Sequence, residues 1–353
     1  MSKFLKEKYK DLKPYTPGEQ PQDKKYVKLN TNESPFPPSP SAIRLAKEEL
    51  EKLMLYPDPD QTRLTELLAD EYGVKKDDVI LTNGSDEVLN FAFMAYCDDR
   101  TPAVFPDITY GFYKVFAEIN NLPMHPIPLK EDFTVDVDAF INTRGTVFIA
   151  NPNAPTGIAL SLGVIEDIVK SNPDRVVVID EAYVDFGAES AIPLTKKYKN
   201  LLVTGTFSKS RSMAGARLGF GIACRELIDD LVRIKYSTNP YNVNRATAAA
   251  GIGALLDKDY FIDNCKKIIE ARKYTETALC ELGFELTESS ANFVFAKTDK
   301  INGRELYLEL KRRGVLIRHF ESDRISEYNR ITIGTIMQME IFIRNVKEIL
   351  EAL

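Results

Sequence analysis

The chain has 353 residues, of which 44% are hydrophobic and 28% charged, and its formal net charge is −6. That length suits one large domain plus a smaller one with ample core. An acidic balance with no block of like charge counts against a nucleic-acid binder that works by neutralising phosphates, although it leaves room for a local basic pocket.

The first residues, Met1-Ser2-Lys3-Phe4-Leu5-Lys6-Glu7-Lys8, lack the apolar core of a signal peptide. The longest run of small apolar residues, 246–256, is too short to cross a bilayer. A cytoplasmic location with no membrane partner is expected. Cys97, Cys224, Cys265 and Cys280 are scattered and expected as reduced thiols. His125 and His319 form no ligand cluster, so no metal is expected.

Residues 1–38 read as an irregular arm, with prolines in Lys13-Pro14-Tyr15-Thr16-Pro17-Gly18 and Ser34-Pro35-Phe36-Pro37-Pro38. Ser39 or Ser41 can cap a helix over 41–53. Tyr56-Pro57-Asp58-Pro59-Asp60 is a turn, and 62–72 a second helix closed by Gly73. Strands at 79–81, 103–105, 146–150, 175–179 and 201–204 then alternate with helices at 86–96, 110–119 and 162–170. This alternation predicts an α/β fold whose mostly parallel central sheet is flanked by helices. From about residue 246 the pattern changes: a long helix over 261–282, strands at 293–296, 315–319 and 330–334, and helices at 304–313 and 339–353. These make a smaller α+β domain. The expected division is a large domain over 39–245 and a small one from 246–353 with the arm 1–38.

Ligands of parallel sheets sit at the carboxyl ends of the strands, and the unusual residues fall there. After Leu81, the turn Thr82-Asn83-Gly84-Ser85-Asp86 offers free N–H groups for an anion, or a plain helix cap. Asp180, ending a buried strand, needs a cation or hydrogen bonds: a salt bridge to an arginine such as Arg217, or a protonated ring nitrogen with Tyr183 close by. Tyr110 can stack on a ring or simply pack. In the stretch 203–219, Lys209 lies between small hydroxylated residues and two arginines, Arg211 and Arg217, whose like charge disfavours its ammonium form. Thr206, Ser208 and Arg217 suit a phosphate beside it. No G-x-G-x-x-G follows a predicted strand and no G-x-x-x-x-G-K-[ST] precedes Lys209, against a nucleotide-binding module.

In this order the chain resembles the class I/II aminotransferase group of fold-type I pyridoxal-phosphate enzymes, over nearly its whole length. The matching pieces are Leu29-Asn30-Thr31-Asn32-Glu33, Tyr56-Pro57, Gly84-Ser85-Asp86-Glu87, Pro106-Asp107-Ile108-Thr109-Tyr110, residues 151–157, Asp180-Glu181-Ala182-Tyr183, Ser208-Lys209, Gly215-Ala216-Arg217-Leu218-Gly219 and Arg330-Ile331-Thr332-Ile333-Gly334. They are specific for fold and cofactor and less so for substrate: a phosphothreonine-type decarboxylase or a broader aromatic aminotransferase looks similar.

The resemblance implies pyridoxal 5'-phosphate with Lys209 as its Schiff-base lysine, Asp180 on the pyridine nitrogen, Tyr183 on the ring hydroxyl and Tyr110 stacked on the ring. Gly84, Ser85, Asp86, Thr206, Ser208 and Arg217 would hold the phosphate. Tyr56 would reach the cofactor of a second subunit, which implies a homodimer. Arg330 would grip the substrate carboxylate, Arg318 and Tyr15 would help with the phosphate or polar end of the other substrate, and Asn32 would also bind substrate. The implied reaction is ping-pong transamination, with an amino acid and its 2-oxo acid as one pair and a phosphorylated amino alcohol and its ketone as the other. One position departs from the family pattern: asparagine usually precedes Pro-Thr-Gly, and here Ala154 does, after Asn153. Either Asn153 supplies the amide to the ring hydroxyl or Tyr183 acts alone. Arg211 also stands where many relatives carry an uncharged residue.

Overall fold

The computed structural model of the chain describes residues 2–10, 12, 15–141 and 143–353. Lys13 and Pro14 of the arm lie outside the described residues. In chain order the strands are β1 (Val27–Lys28), β2 (Val79–Thr82), β3 (Ala103–Pro106), β4 (Met124–Ile127), β5 (Thr146–Ala150), β6 (Val177–Asp180), β7 (Leu201–Thr206), β8 (Gly219–Ile222), β9 (Glu285–Leu286), β10 (Phe293–Lys297), β11 (Val315–Leu316), β12 (Arg318–His319) and β13 (Asn329–Thr332). The helices are α1 (Pro40–Leu50), α2 (Thr62–Tyr72), α3 (Ser85–Tyr96), α4 (Phe112–Ile119), α5 (Val137–Phe140), α6 (Leu162–Ser171), α7 (Arg225–Thr238), α8 (Arg245–Leu256), α9 (Lys258–Glu281), α10 (Gly303–Arg312) and α11 (Ile336–Glu351).

Seven strands form the central sheet in the order β2-β8-β7-β6-β5-β3-β4. Its inner strands are mainly apolar because both faces are covered. Val147, Ile149, Val177, Ile179, Leu201 and Val203 join one core, while Phe148, Ala150, Val178 and Leu202 join another on the opposite face. All pairs are parallel except those of β8, which runs antiparallel to both β2 and β7.

Two of these strands go beyond the sequence reading. Met124-His125-Pro126-Ile127 forms edge strand β4, where a proline without an N–H is tolerated. Gly219-Phe220-Gly221-Ile222 was concealed by its glycines, which are required here: a Cβ on Gly219 would lie 2.2 Å from the Ser85 nitrogen.

Strands β12, β13, β10 and β9 form an antiparallel sheet that carries α9, α10 and α11. The expected strand at 315–319 is two: β11 pairs with β1 of the arm, and β12 pairs with β13. The arm continues along this sheet, with Thr332 N donating to Leu29 O at 2.9 Å. Helix boundaries follow their caps. Ser39 accepts from Ala42 N and Pro40 occupies the first turn of α1, while Thr335 and Gln338 form a capping box that starts α11 at Ile336 rather than 339.

Beyond Arg245 and Thr247, helix α8 is small and apolar on every side and so shows no amphipathic period in sequence; its buried Ala248, Ala250, Ala254 and Leu255 belong to the core of the central sheet. We therefore propose Asp257, between α8 and α9, as the boundary between the two units. Helix α8 lies so close to α1 that a Cβ on Gly253 would sit 2.4 Å from Ala42 N and 2.5 Å from Ser41 O. Gly253→Ala should therefore destabilise the chain by about 1–3 kcal/mol in denaturant unfolding, by forcing the two helices apart.

Candidate active site

Strand register assembles the site. Gly219 pairs with both Thr82 and Thr206, which sets the carboxyl ends of β2 and β7 at one level. Asp180 stands between Ala150 of β5 and Thr204 of β7. The loops leaving these strands enclose a cleft of about 170 Å³ lined by Ser85, Asp86, Tyr110, Asp180, Tyr183, Thr206, Ser208, Lys209 and Arg217. A second cleft of about 380 Å³ adjoins it, lined by Tyr15, Asn32, Arg318 and Arg330 among others. Lys209 and Tyr183 line both, so the lysine stands where the two meet.

At one end of the first cleft is an anion corner. Gly84 adopts φ +80° ahead of α3, and the first-turn N–H groups of Ser85 and Asp86 have no carbonyl of their own helix to serve. Arg217 lies against Gly84, with Nη2 only 2.5 Å from where a Cβ would stand. Its guanidinium donates to Asp86 Oδ2 at 2.9 Å and to Ser208 Oγ at 3.4 Å, and Thr206 Oγ1 donates to Ser208 Oγ at 3.0 Å. The carboxylate of Asp86 also accepts from Tyr110 at 2.6 Å. An anionic ligand would be repelled by that carboxylate, so Asp86 can serve it only through its backbone N–H.

At the floor lies Asp180, 4% exposed, which forms no ion pair among the described residues. Burial pushes its carboxyl up to about 6; hydrogen bonds from Thr204 and Tyr113 oppose this, while the charge of Asp86 reinforces it. Lys209 Nζ donates to Thr31 O at 3.3 Å and lies 5.7 Å from the centre of the Tyr183 ring. Glu33 also lines the cleft. Burial pushes its carboxyl up, but hydrogen bonds from Lys28 and Thr31, with the charges of Lys28 and Lys209, hold it below the usual range.

Asn153 is not brought to the cleft. Its amide donates to Ile108 O and Thr156 Oγ1, each at 3.0 Å, and accepts from Thr109 at 2.7 Å, which fixes the Tyr110 loop instead. Ala154 does line the cleft. The amide beside Tyr183 comes from Asn32, whose Nδ2 donates to the tyrosine hydroxyl at 3.0 Å. Tyr56 lines neither cleft; it is 77% exposed and stacks on Tyr241 with ring centres 4.6 Å apart.

In the second cleft, Arg330 donates to Asn30 O at 3.1 Å and lies between the rings of Phe293 and Phe320. Its buried Nε has no hydrogen-bond partner among the described residues. Arg318 donates to Thr16 O at 3.4 Å. Tyr15 stacks on Phe112 with ring centres 4.4 Å apart.

Arg211 turns away from this chemistry. Its buried guanidinium donates to Ala254 O at 3.0 Å, lies 3.5 Å from Glu71 and faces the ring of Phe261 at 4.1 Å. The neighbours of Arg211 are anchored too, Ser210 to Asp185 and Ser212 to Ser34. Three successive side chains thus tie the backbone after Lys209 to the turn after Tyr183, to α2 and α8, and to the arm. Sequence gives no sign of this, because each partner is distant along the chain.

The residues suit pyridoxal 5'-phosphate. A buried carboxylate with no cation in contact matches a ligand that brings its own positive ring nitrogen, and the arginine corner matches a phosphate. The profile of the family described as Aminotransferase class I and II matches residues 24–346. The chain therefore belongs to the class I and II aminotransferases, which are pyridoxal-phosphate-dependent enzymes. It is 49% identical over 353 residues to a histidinol-phosphate aminotransferase of Brachyspira hyodysenteriae, covering 99% of this chain and 100% of the relative. It is 48% identical over 349 residues to one of Clostridium acetobutylicum, covering 99% of each. The crystal structure of a histidinol-phosphate aminotransferase from Sinorhizobium meliloti with pyridoxal 5'-phosphate shares the fold, at a TM-score of 0.85 and 22% identity over 93% of this chain and 92% of that one.

Two predictions follow from the buried charges. Burial, and then the nearby Asp185 and Asp180, push the Glu181 carboxyl up to about 8 against hydrogen bonds from Ser190 and Ala191. The folded chain thus keeps a proton that the unfolded chain has lost above the ordinary glutamate value. This contribution is fully present at pH 4 and disappears as pH rises through about 8. Melting temperature followed from pH 4.5 to 8 should fall less steeply in Glu181→Gln than in the parent. Arg211→Lys should lose roughly 3 kcal/mol of stability in urea unfolding, because an ammonium cannot reproduce the forked contacts and leaves Glu71 and Asp185 less compensated.

Proposed function

We propose that the chain transfers an amino group between glutamate and imidazole acetol phosphate, giving 2-oxoglutarate and histidinol phosphate, and also catalyses the reverse. The observation that carries this reading is the position of Lys209 between two clefts. One holds a buried carboxylate and an anion corner. The other holds Arg318 and Arg330, neither of which forms an ion pair among the described residues. The two full-length relatives named above support the choice of substrate.

In this reading Ser85 and Asp86 hold the cofactor phosphate through backbone N–H groups, Thr206 and Ser208 through hydroxyls, and Arg217 through its guanidinium. Asp180 faces the ring nitrogen, Tyr110 lies along the ring, and Tyr183, oriented by Asn32, meets the ring hydroxyl. Pyridoxal phosphate bound there supplies an electron sink for the charge that develops at the substrate Cα. The Lys209 amine takes and returns the Cα proton as general base and acid. Arg330, its charge flanked by two aromatic faces, grips the α-carboxylate of the amino acid. Arg318 and Tyr15 bind the phosphate of the second substrate.

The active unit in this proposal is a homodimer in which Tyr56 reaches the partner's cofactor. It is supported by Leu53, Met54, Leu55 and Tyr56, four successive apolar side chains each more than half exposed. We place the activity in the cytoplasm, where the four cysteines stay reduced.

Lys209→Ala should abolish turnover while leaving the fold intact, and borohydride with labelled cofactor should mark Lys209 in the parent chain alone. Single half-reactions, read by the cofactor's absorbance, should show glutamate and histidinol phosphate converting it and phenylalanine doing so poorly. Carbon dioxide release from phosphothreonine without keto-acid formation would overturn the assignment in favour of a decarboxylase.

A further inference from the structure

Both oxygens of the Asp180 carboxylate are met by hydroxyls that nothing else in the site accounts for. Tyr113 on α4 is fully buried among Phe93, Phe105, Phe148 and Tyr110. Its phenol is aimed out of this aromatic cluster at Asp180 Oδ2, 3.2 Å away. Thr204, also fully buried, stands opposite Asp180 in the parallel register of β6 and β7 and donates to Oδ1 at 3.1 Å. The two donors approach from different elements, one from a helix over the sheet and one from the neighbouring strand.

We propose that Tyr113 and Thr204 are positioning residues that hold the Asp180 carboxylate ionised and aimed into the cleft, ready for a cationic ring nitrogen. This rests on the reading of Asp180 given above. Burial drives the carboxyl toward its neutral form, and a protonated Asp180 presents no charge to the ring. The charged and titratable groups around it are Asp86 on α3, Tyr110 and Tyr113 at α4, Glu181 and Tyr183 beyond β6, and Lys209 and Arg217 across the cleft. Of these, Asp86 and Glu181 oppose ionisation when charged. The hydroxyls of Tyr113 and Thr204 are the side-chain donors that contact the carboxylate itself. Each favours the charged form, because a carboxylate accepts a hydrogen bond more strongly than the neutral acid does. Neither side chain lines the second cleft, so their effect falls on the chemical step rather than on substrate binding.

The test uses the full chain, labelled with carboxyl-13C aspartate, both loaded and stripped of cofactor. The Asp180 signal is assigned by its loss in Asp180→Asn. In the stripped chain, Tyr113→Phe and Thr204→Val should each raise the Asp180 pKa by about one unit, while Thr204→Ser, which keeps the donor, should match the parent. In the loaded enzyme the same two variants should lower kcat about tenfold near neutral pH with KM little changed, and Thr204→Ser should restore it. An unchanged Asp180 titration in both Tyr113→Phe and Thr204→Val, or a loss confined to KM, overturns the proposal. Should Tyr113→Phe fold poorly, the contrast of Thr204→Val with Thr204→Ser decides alone. If the titration shifts but Asp180→Asn keeps full activity, the hydroxyls still hold the carboxylate and only the reading of its partner falls.

Discussion

A carboxylate placed at the end of a strand that is covered on both faces has to be given partners or a proton. Asp180 is in that position, and the architecture around it can be understood as an answer to the cost. The parallel register brings Thr204 alongside, and α4 delivers the Tyr113 phenol from above. Among the described residues, none brings a cation into contact with the carboxylate. In the proposed function the ring nitrogen of pyridoxal phosphate would fill that role, and binding of the cofactor and ionisation of the carboxylate would then favour one another. Asp86 and Arg217 show the same logic at the other end of the cleft, where a protein carboxylate pairs with the guanidinium that suits the phosphate.

Much of this was legible along the chain, because strand ends of a parallel sheet collect functional residues. Lys209, Asp180, Tyr183, Tyr110, Arg217 and the Gly84 turn all meet in one cleft, as their positions after predicted strands suggested. Register was not legible. β8 hid behind glycines whose missing side chains are needed for the close approach of α3, and β4 hid behind a proline on the sheet edge. Nor could one-dimensional spacing show that the amide of Asn153 turns toward Ile108 while that of Asn32, far earlier, meets Tyr183. Tyr113 had a signal that could have been used: it lies three residues beyond Tyr110, about one helical turn, so the two rings reach the same region. Thr204 had the weaker signal of standing level with Asp180 on an adjacent strand.

Arg211 shows how a charge that looks chemical in sequence can be mechanical in space. A guanidinium between Glu71, a carbonyl of α8 and a phenylalanine of α9 joins the backbone after Lys209 to both sides of the proposed boundary at Asp257. Ser210 and Ser212 extend the same anchoring to the turn after Tyr183 and to the arm. The amine can swing on its own flexible stem while the backbone just after it is held from three directions, which suits a side chain that stands where two clefts meet.

The antiparallel insertion of β8 has a consequence for how the molecule comes into being. Among the sheet strands β2 is hydrogen-bonded to β8 alone, although Thr82 and Gly219, at which they meet, lie 137 positions apart in the chain. During synthesis β2 and α3 emerge early, yet the edge of β2 stays open until the last strand of the sheet has followed. An open edge of that kind is a template for pairing with other chains. The anion corner, which needs Arg217 beside the Gly84 turn, therefore cannot close before β8 has joined β2, and its formation reports that the central sheet has closed.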